Sequence, residues 1–131
     1  MNDAVITIHL RNFTTAAAQH QRLDRDYRAA WRYKHKRAEI APQRRQALLA
    51  TQQAANHIRN TLPDTEPSHL THLARNLLER WDNYRRNHAI MLAEYNHHNR
   101  HHNDTSRATF ETALREAIET LNTITNTTEN T

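Results

Sequence analysis

Glycine and cysteine are absent from this 131-residue chain, and proline occurs only three times. Dinucleotide fingerprints, glycine-rich phosphate loops and nucleophile elbows all require glycine, so nucleotide-binding and hydrolase sites of those kinds are excluded. The lack of cysteine excludes disulfides, thiolate zinc sites and a cysteine nucleophile. Tight β-hairpins normally need glycine in the left-handed region and are not expected either.

Long apolar runs are also missing. None approaches the roughly 20 residues that a membrane-spanning helix needs. The N-terminal residues carry no basic segment of an export signal. We therefore expect a cytoplasmic protein with no membrane partner. Its two serines, Ser68 and Ser106, stand in no nucleophile motif, so the sequence predicts no enzyme activity and no cofactor.

The apolar residues that are present recur every three or four positions. This spacing predicts an all-α fold, a helical bundle of about four helices. The first helix is predicted over residues 13–40, with Pro42 either ending it or kinking a longer helix. The second is predicted to end before Pro63.

One long central helix is the clearest prediction. The spacing persists from Leu70 to His102, a rod of roughly 48 Å at 1.5 Å per residue. A fourth helix is predicted after Asp104. Residues 1–121 are predicted to form a single domain, and the Thr/Asn-rich residues 122–131 a frayed polar tail.

The N-terminal residues 1–12 are predicted to form a short extended arm. Residues 5–10 are rich in β-branched side chains, and their apolar positions alternate. No second strand candidate exists for them to pair with. A first helical turn, an arm lying on the bundle and a strand added to a partner's sheet edge all stay open.

Positive charge is concentrated in one part of the chain, whose net charge is +4. Between Arg22 and Arg45, nine basic residues face three acidic ones. On one continuous helix, several of them would form a stripe of roughly 21 Å, long enough to neutralise several phosphates. We predict contact with a nucleic-acid backbone and no base-specific reading. The predicted binding residues are Arg11, Arg22, Arg25, Arg28, Arg32, Lys34, Lys36, Arg37, Arg44 and Arg45. The alternative is a solvated helix face with internal i,i+4 ion pairs.

Three aromatic residues lie among these cations. Tyr27 and Trp31 continue the apolar face, so they are predicted to pack in the core. Tyr33 is the candidate for stacking on an unpaired base.

Four histidines form a second unusual cluster. His97 and His101 are an i,i+4 pair, as are His98 and His102, and this spacing can place two ligands on one Zn²⁺. A buried catalytic site would need further ligands from other helices, so no metal is predicted. The residues His97, His98, His101 and His102 remain candidates for a surface site that binds Zn²⁺ or Ni²⁺.

The size, the helix content and the cluster formed by Arg22, Arg25, Arg28, Arg32, Lys34, Lys36 and Arg37 resemble the helical small subunit of CRISPR effector complexes. The resemblance is architectural and rests on no diagnostic motif. It implies a non-catalytic subunit of a ribonucleoprotein complex in antiviral defence, with copies stacked head to tail. It also implies contact with a target or displaced strand, RNA or DNA, and docking on larger protein subunits.

Two other functions stay open. One is a phage- or plasmid-encoded helical factor, an inhibitor or adaptor whose partner is a protein. The other is a His-rich metal-binding bundle.

Overall fold

The computed structural model describes the backbone of residues 3–129 and the side chains of residues 4–124. Within that range there are four α-helices and no strand, so the predicted all-α class is confirmed. The chain divides into two compact units, Met1–Glu66 and Pro67–Thr131. Each unit is a helical hairpin, with α1 packed on α2 and α3 packed on α4. The elements are α1 (Asp3–Ala29), α2 (Lys34–Thr61), a 3₁₀ turn (Leu62–Asp64), α3 (His69–Ala93) and α4 (His97–Glu129).

Helix α1 replaces the extended arm predicted for residues 1–12, apart from residues 1 and 2, which lie outside the described range. Ile6, Leu10 and Phe13 are fully buried, and their spacing of four and three residues matches one helical face. Val5 and Ile8, which favoured a strand, lie on the exposed side of the same helix. Burial of the helical face against α2 outweighs the β propensity of these side chains.

The predicted helix over residues 13–40 is wrong, because the chain reverses at residues 30–33. Neither glycine nor proline stands there, so local propensity does not explain the break. The reversal lets α2 cover the apolar face of α1, and packing of this kind routinely overrides propensity. The buried side chains of α2 are mostly small: Ala47, Thr51, Ala54, Ala55 and Ile58.

Pro42 lies inside α2 and does not end a helix. A proline in a helix interior removes one backbone hydrogen bond. Here the helix continues on both sides of it. The alternative, a kink at Pro42 in one long helix that continues the first, is also wrong, because the chain breaks at residues 30–33 and Pro42 belongs to α2 alone.

The central helix predicted to run from Leu70 to His102 is also wrong, since α3 ends at Ala93 and α4 begins at His97. The side chain of Asn96 caps α4: its Oδ1 accepts the backbone N–H of Asn99 at 2.8 Å. Asn103 is not a helix boundary, as it is buried inside α4.

The second hairpin buries more aromatic rings than the first, in which Phe13 is buried. Trp81 and Tyr84 of α3 are buried, as are Phe110 and Leu114 of α4. The rings of Tyr84 and Phe110 stack with centroids 6.1 Å apart. These residues follow the predicted three-and-four spacing, so the core faces of α3 and α4 agree with the sequence.

Two boundary predictions remain predictions. Helix α4 continues through the predicted tail to Glu129, and the side chains beyond Ile124 lie outside the described residues. The single domain over residues 1–121 stays a prediction. None of the described helices is both long and apolar enough to cross a bilayer.

Candidate nucleic-acid interface

The basic residues gather at the closed end of the first hairpin. We call residues 22–45 the basic tip; it comprises the end of α1, the turn at residues 30–33 and the start of α2. It holds all nine cations of the Arg22–Arg45 cluster and the acids Asp24, Asp26 and Glu39. Arg11 lies closer to the N-terminus of α1, outside the tip.

The reversal changes the predicted geometry of the stripe. Arg22 and Arg25 lie on α1, Arg32 lies in the turn, and Lys36 lies on α2. The straight row of charges along one helix is therefore wrong. In its place, two antiparallel helices bring cations together that are far apart in sequence. The cations of the tip are therefore distributed over two helices and the turn between them.

Arg44 links the two helices of the tip. Its Nη1 lies 3.1 Å from Asp24 Oδ1, and Asp24 Oδ2 lies 3.2 Å from Arg28 Nε. The Arg44 guanidinium also covers the ring of Tyr27, with Cζ 3.8 Å from the ring centroid. A planar guanidinium suits both contacts at once. Arg44 is thus engaged in holding α1 to α2.

Other cations of the tip face solvent. Those with exposed side chains are Arg22, Arg25, Arg28, Arg32, Lys34, Lys36 and Arg45. Arg37 is half-buried. Among the residues between Leu23 and Ala47, all of them described, Ala30 alone is buried. The tip is therefore thinly packed and mainly solvated.

The start of α2 adds to the positive potential. Tyr33 occupies its N-cap position and makes no side-chain capping hydrogen bond, and the first turn contains no acidic residue. The backbone N–H groups of a helix N-terminus carry a partial positive charge. Lys34 and Lys36 lie in this same turn, where a cation repels that charge. An anion would relieve this repulsion.

Trp31 and Tyr33 are exposed in the turn, each with 63% of its surface accessible. Arg32 Cζ lies 4.6 Å from the Trp31 ring centroid, and Lys36 Nζ lies 5.7 Å from that of Tyr33. The prediction that Trp31 packs in the core is wrong, because Trp31 lies in the turn that follows the end of α1. Tyr27 is half-buried beneath Arg44, and Tyr33 is exposed as predicted.

The sequence carried a signal for Trp31 that the interpretation missed. After Ala30, the next positions of the apolar face would be Lys34 and Arg37. The three-and-four spacing therefore ends at Ala30 and Trp31. A tryptophan at the last position of an apolar face has no following apolar turn to pack against.

The histidine cluster lies in the first two turns of α4. The side chains of His97, His98, His101 and His102 are all exposed, so His98 and His102 do not continue the core as their spacing suggested. The His98 and His102 rings meet edge to face with centroids 4.4 Å apart. The rings of His101 and His102 are also tilted against each other, with centroids 6.2 Å apart.

The surface metal site for which these histidines were candidates stays a prediction. Neither the pair His97 and His101 nor the pair His98 and His102 gains a third ligand, because within the described residues no three histidine or carboxylate side chains come together as metal ligands. A Zn²⁺ site normally takes at least three protein ligands. The i,i+4 spacing of His97, His98, His101 and His102 therefore offers pairs of histidine ligands from one helix and no larger ligand group among the described residues.

Searches with protein-family models, curated proteins and solved structures find no match to this chain.

Proposed function

We propose that this chain is a non-catalytic subunit that binds a nucleic-acid backbone through the basic tip. One observation carries the proposal: the fold gathers nine cations and only three acids at one hairpin end. Such a surface attracts polyanions, because each phosphate neutralised by a lysine or arginine releases condensed counterions. No exposed element of the tip implies reading of base edges, so the binding is weakly sequence-specific.

The finer part of the proposal concerns the assembly. A small all-α chain with one basic end fits a subunit that lines a nucleoprotein groove, as the small subunit of a CRISPR effector complex does. In that setting the chain contacts a target or displaced strand, and its other surfaces dock on larger subunits or on further copies of itself.

A salt titration tests the backbone contact. For a single strand, the logarithm of the binding constant falls with the logarithm of the salt concentration, with a slope of about −0.7 per phosphate contacted. If about five phosphates are contacted, affinity therefore falls roughly a hundredfold between about 50 mM and about 200 mM salt. Fluorescence anisotropy with labelled RNA and DNA measures this. Affinity that does not change with salt, or no binding at the lower salt, contradicts the proposal.

A charge-reversal pair locates the contact. Arg25→Glu with Arg32→Glu should abolish binding and leave the helical circular dichroism unchanged, because both side chains are exposed. The matched control is Arg75→Glu with Arg86→Glu on α3, two exposed arginines outside the tip with the same change in net charge. The control should retain binding. Equal loss in both variants would mean that affinity follows net charge alone.

A protein partner is the second candidate function, and one observation favours it. Ile90, Leu92 and Tyr95 are exposed within six residues at the end of α3. Large exposed apolar side chains are typical of protein interaction surfaces. If the chain binds no nucleic acid in the titration described above, that result favours this inhibitor or adaptor role.

A further inference from the structure

Two exposed aromatic rings occupy the apex of the basic tip. Trp31 and Tyr33 lie in the turn at residues 30–33, and both are mostly accessible to solvent. Exposing a tryptophan forgoes the free energy gained by burying a large apolar surface. Exposed tryptophan and tyrosine are also the residues most enriched at the energetic centres of binding surfaces. The exposure therefore needs an explanation other than stability.

Each ring is paired with its own cation. Arg32 lies over Trp31 and Lys36 lies over Tyr33, at 4.6 and 5.7 Å from the ring centroids. Aromatic rings that alternate with cations are the arrangement by which proteins bind single strands. The rings stack on the bases while neighbouring cations meet the phosphates.

We propose that Trp31 and Tyr33 stack on unpaired nucleobases, so that the ligand of the basic tip is a single-stranded nucleic acid. This inference rests on the proposed function and adds the substrate class. In a duplex, the faces of the bases are already stacked on one another, and only phosphates and groove edges are accessible. A duplex would therefore engage the cations of the tip without engaging its rings. An unpaired strand engages both.

An anionic membrane surface is the other polyanion that aromatic and basic residues can meet. The tip favours nucleic acid for two reasons. It contains three acids among its cations, and none of its exposed large hydrophobics is aliphatic. An interfacial anchor would instead need a continuous apolar face.

An abasic strand separates stacking from backbone contact. The wild-type chain is titrated with RNA and, separately, with DNA of about twelve nucleotides. For each nucleic acid, three ligands are compared: a normal single strand, an abasic single strand of the same charge, and a duplex. We expect the normal strand to bind at least about fivefold more tightly than the abasic strand and the duplex, since stacking on one base contributes about that factor or more.

Ring removal tests the same point on the protein. Trp31→Ala with Tyr33→Ala should remove the preference for the normal strand and leave affinity for the abasic strand unchanged. Tyr95→Ala is the matched control, because Tyr95 is equally exposed, at 69%, in the turn of the second hairpin. It should behave as the wild type.

Fluorescence provides an independent readout. The chain has two tryptophans, and Trp81 is buried, so a Trp81→Phe variant reports on Trp31 alone. Single strands with bases should quench its emission, and the abasic strand should not.

The outcomes are distinguishable. Equal, salt-dependent affinity for normal, abasic and duplex ligands would overturn the stacking inference and leave the proposed function standing. Absence of binding to every nucleic acid would overturn both. Tighter binding to vesicles containing phosphatidylserine than to any strand would assign the tip to membranes and overturn the inference.

Discussion

The two hairpins of this chain end in turns of similar length and opposite chemistry. In the first, α2 starts without a side-chain cap, and its first turn contains two lysines, while neither α2 nor α4 has an acid in its first turn. In the second, Asn96 caps α4, and Asn99 Nδ2 donates to the carbonyl oxygen of Glu94 at 2.7 Å. Both turns expose aromatic residues. The second turn thus satisfies its polar groups internally, whereas the first leaves its positive charge available to a ligand.

The cores of the two hairpins also differ in the residues that fill them. In the first hairpin the buried side chains of α2 are mostly small and those of α1 include Ile6, Leu10 and Phe13, and burial fades toward the basic tip. The second is filled by tryptophan, tyrosine, phenylalanine and leucine. The first hairpin also carries eleven basic and six acidic residues, against seven and eight in the second. The buried tryptophan and tyrosine and the balanced charge lie in the second hairpin, and the basic tip with its exposed cations and rings lies in the first.

The two tryptophans give the largest test of this contrast. Trp81→Ala should lower the free energy of unfolding by about 3–5 kcal/mol, because it removes a buried ring and leaves a cavity. Trp31→Ala should change it by less than about 0.5 kcal/mol, because that ring is exposed. Urea denaturation followed by circular dichroism measures both. A small effect at Trp81, or a large one at Trp31, would reverse the roles assigned to the two hairpins.

The helix caps give a smaller test. Asn96→Ala should cost about 1 kcal/mol, since it leaves the N–H of Asn99 without its capping oxygen. At the corresponding position of α2, Tyr33→Ala should cost less than about 0.5 kcal/mol, because the tyrosine makes no capping bond there.

Adding a cap to α2 sharpens this comparison. Tyr33→Asn should stabilise the chain by about 0.5–1 kcal/mol and at the same time weaken single-strand binding. Denaturation curves and strand titrations on one sample measure the two changes. A variant that loses both stability and binding would show that Tyr33 supports the turn itself.

The fold class and the core faces of the second hairpin follow from the apolar spacing, but the positions of the helix breaks do not. Residues 28–34 and 93–97 contain no glycine and no proline. The chain reverses at those places because each helix needs a partner for its apolar face. That need is set by contacts between residues far apart in sequence. Local pattern therefore predicts helices well and predicts their ends poorly.

The candidate site shows the same division. The basic excess of residues 22–45 is evident from composition, and so is the aromatic character of Tyr33. The engagement of Arg44 depends on Asp24, twenty positions away on the other helix. The exposure of Trp31 depends on where the chain reverses. Spacing along one helix does not predict the Arg44 contact, and for Trp31 it shows only where the apolar face ends, because both features arise from the packing of α1 on α2.

The smallest test compares two aspartates that each contact two arginines. Asp24 bridges Arg28 and Arg44 in the basic tip. In the second hairpin, Asp104 Oδ2 lies 3.9 Å from Arg100 Nε, and Asp104 Oδ1 lies 3.3 Å from Arg107 Nη2. Because these ion pairs are partly exposed, replacing either aspartate with asparagine should cost no more than about 1 kcal/mol of stability.

Their effects on binding should differ. Asp24→Asn removes a negative charge from the tip and leaves the guanidinium groups of Arg28 and Arg44 available to phosphates. The slope of the logarithm of the binding constant against the logarithm of the salt concentration should therefore become steeper by about 0.7 for each added phosphate contact. Asp104→Asn, with the same change in net charge, should leave the slope unchanged. Anisotropy titrations at several salt concentrations measure both slopes. Equal steepening would mean that the strand senses only total charge. A loss of binding in Asp24→Asn alone would mean that the Asp24–Arg44 contact is needed to hold the two helices of the tip in their binding arrangement.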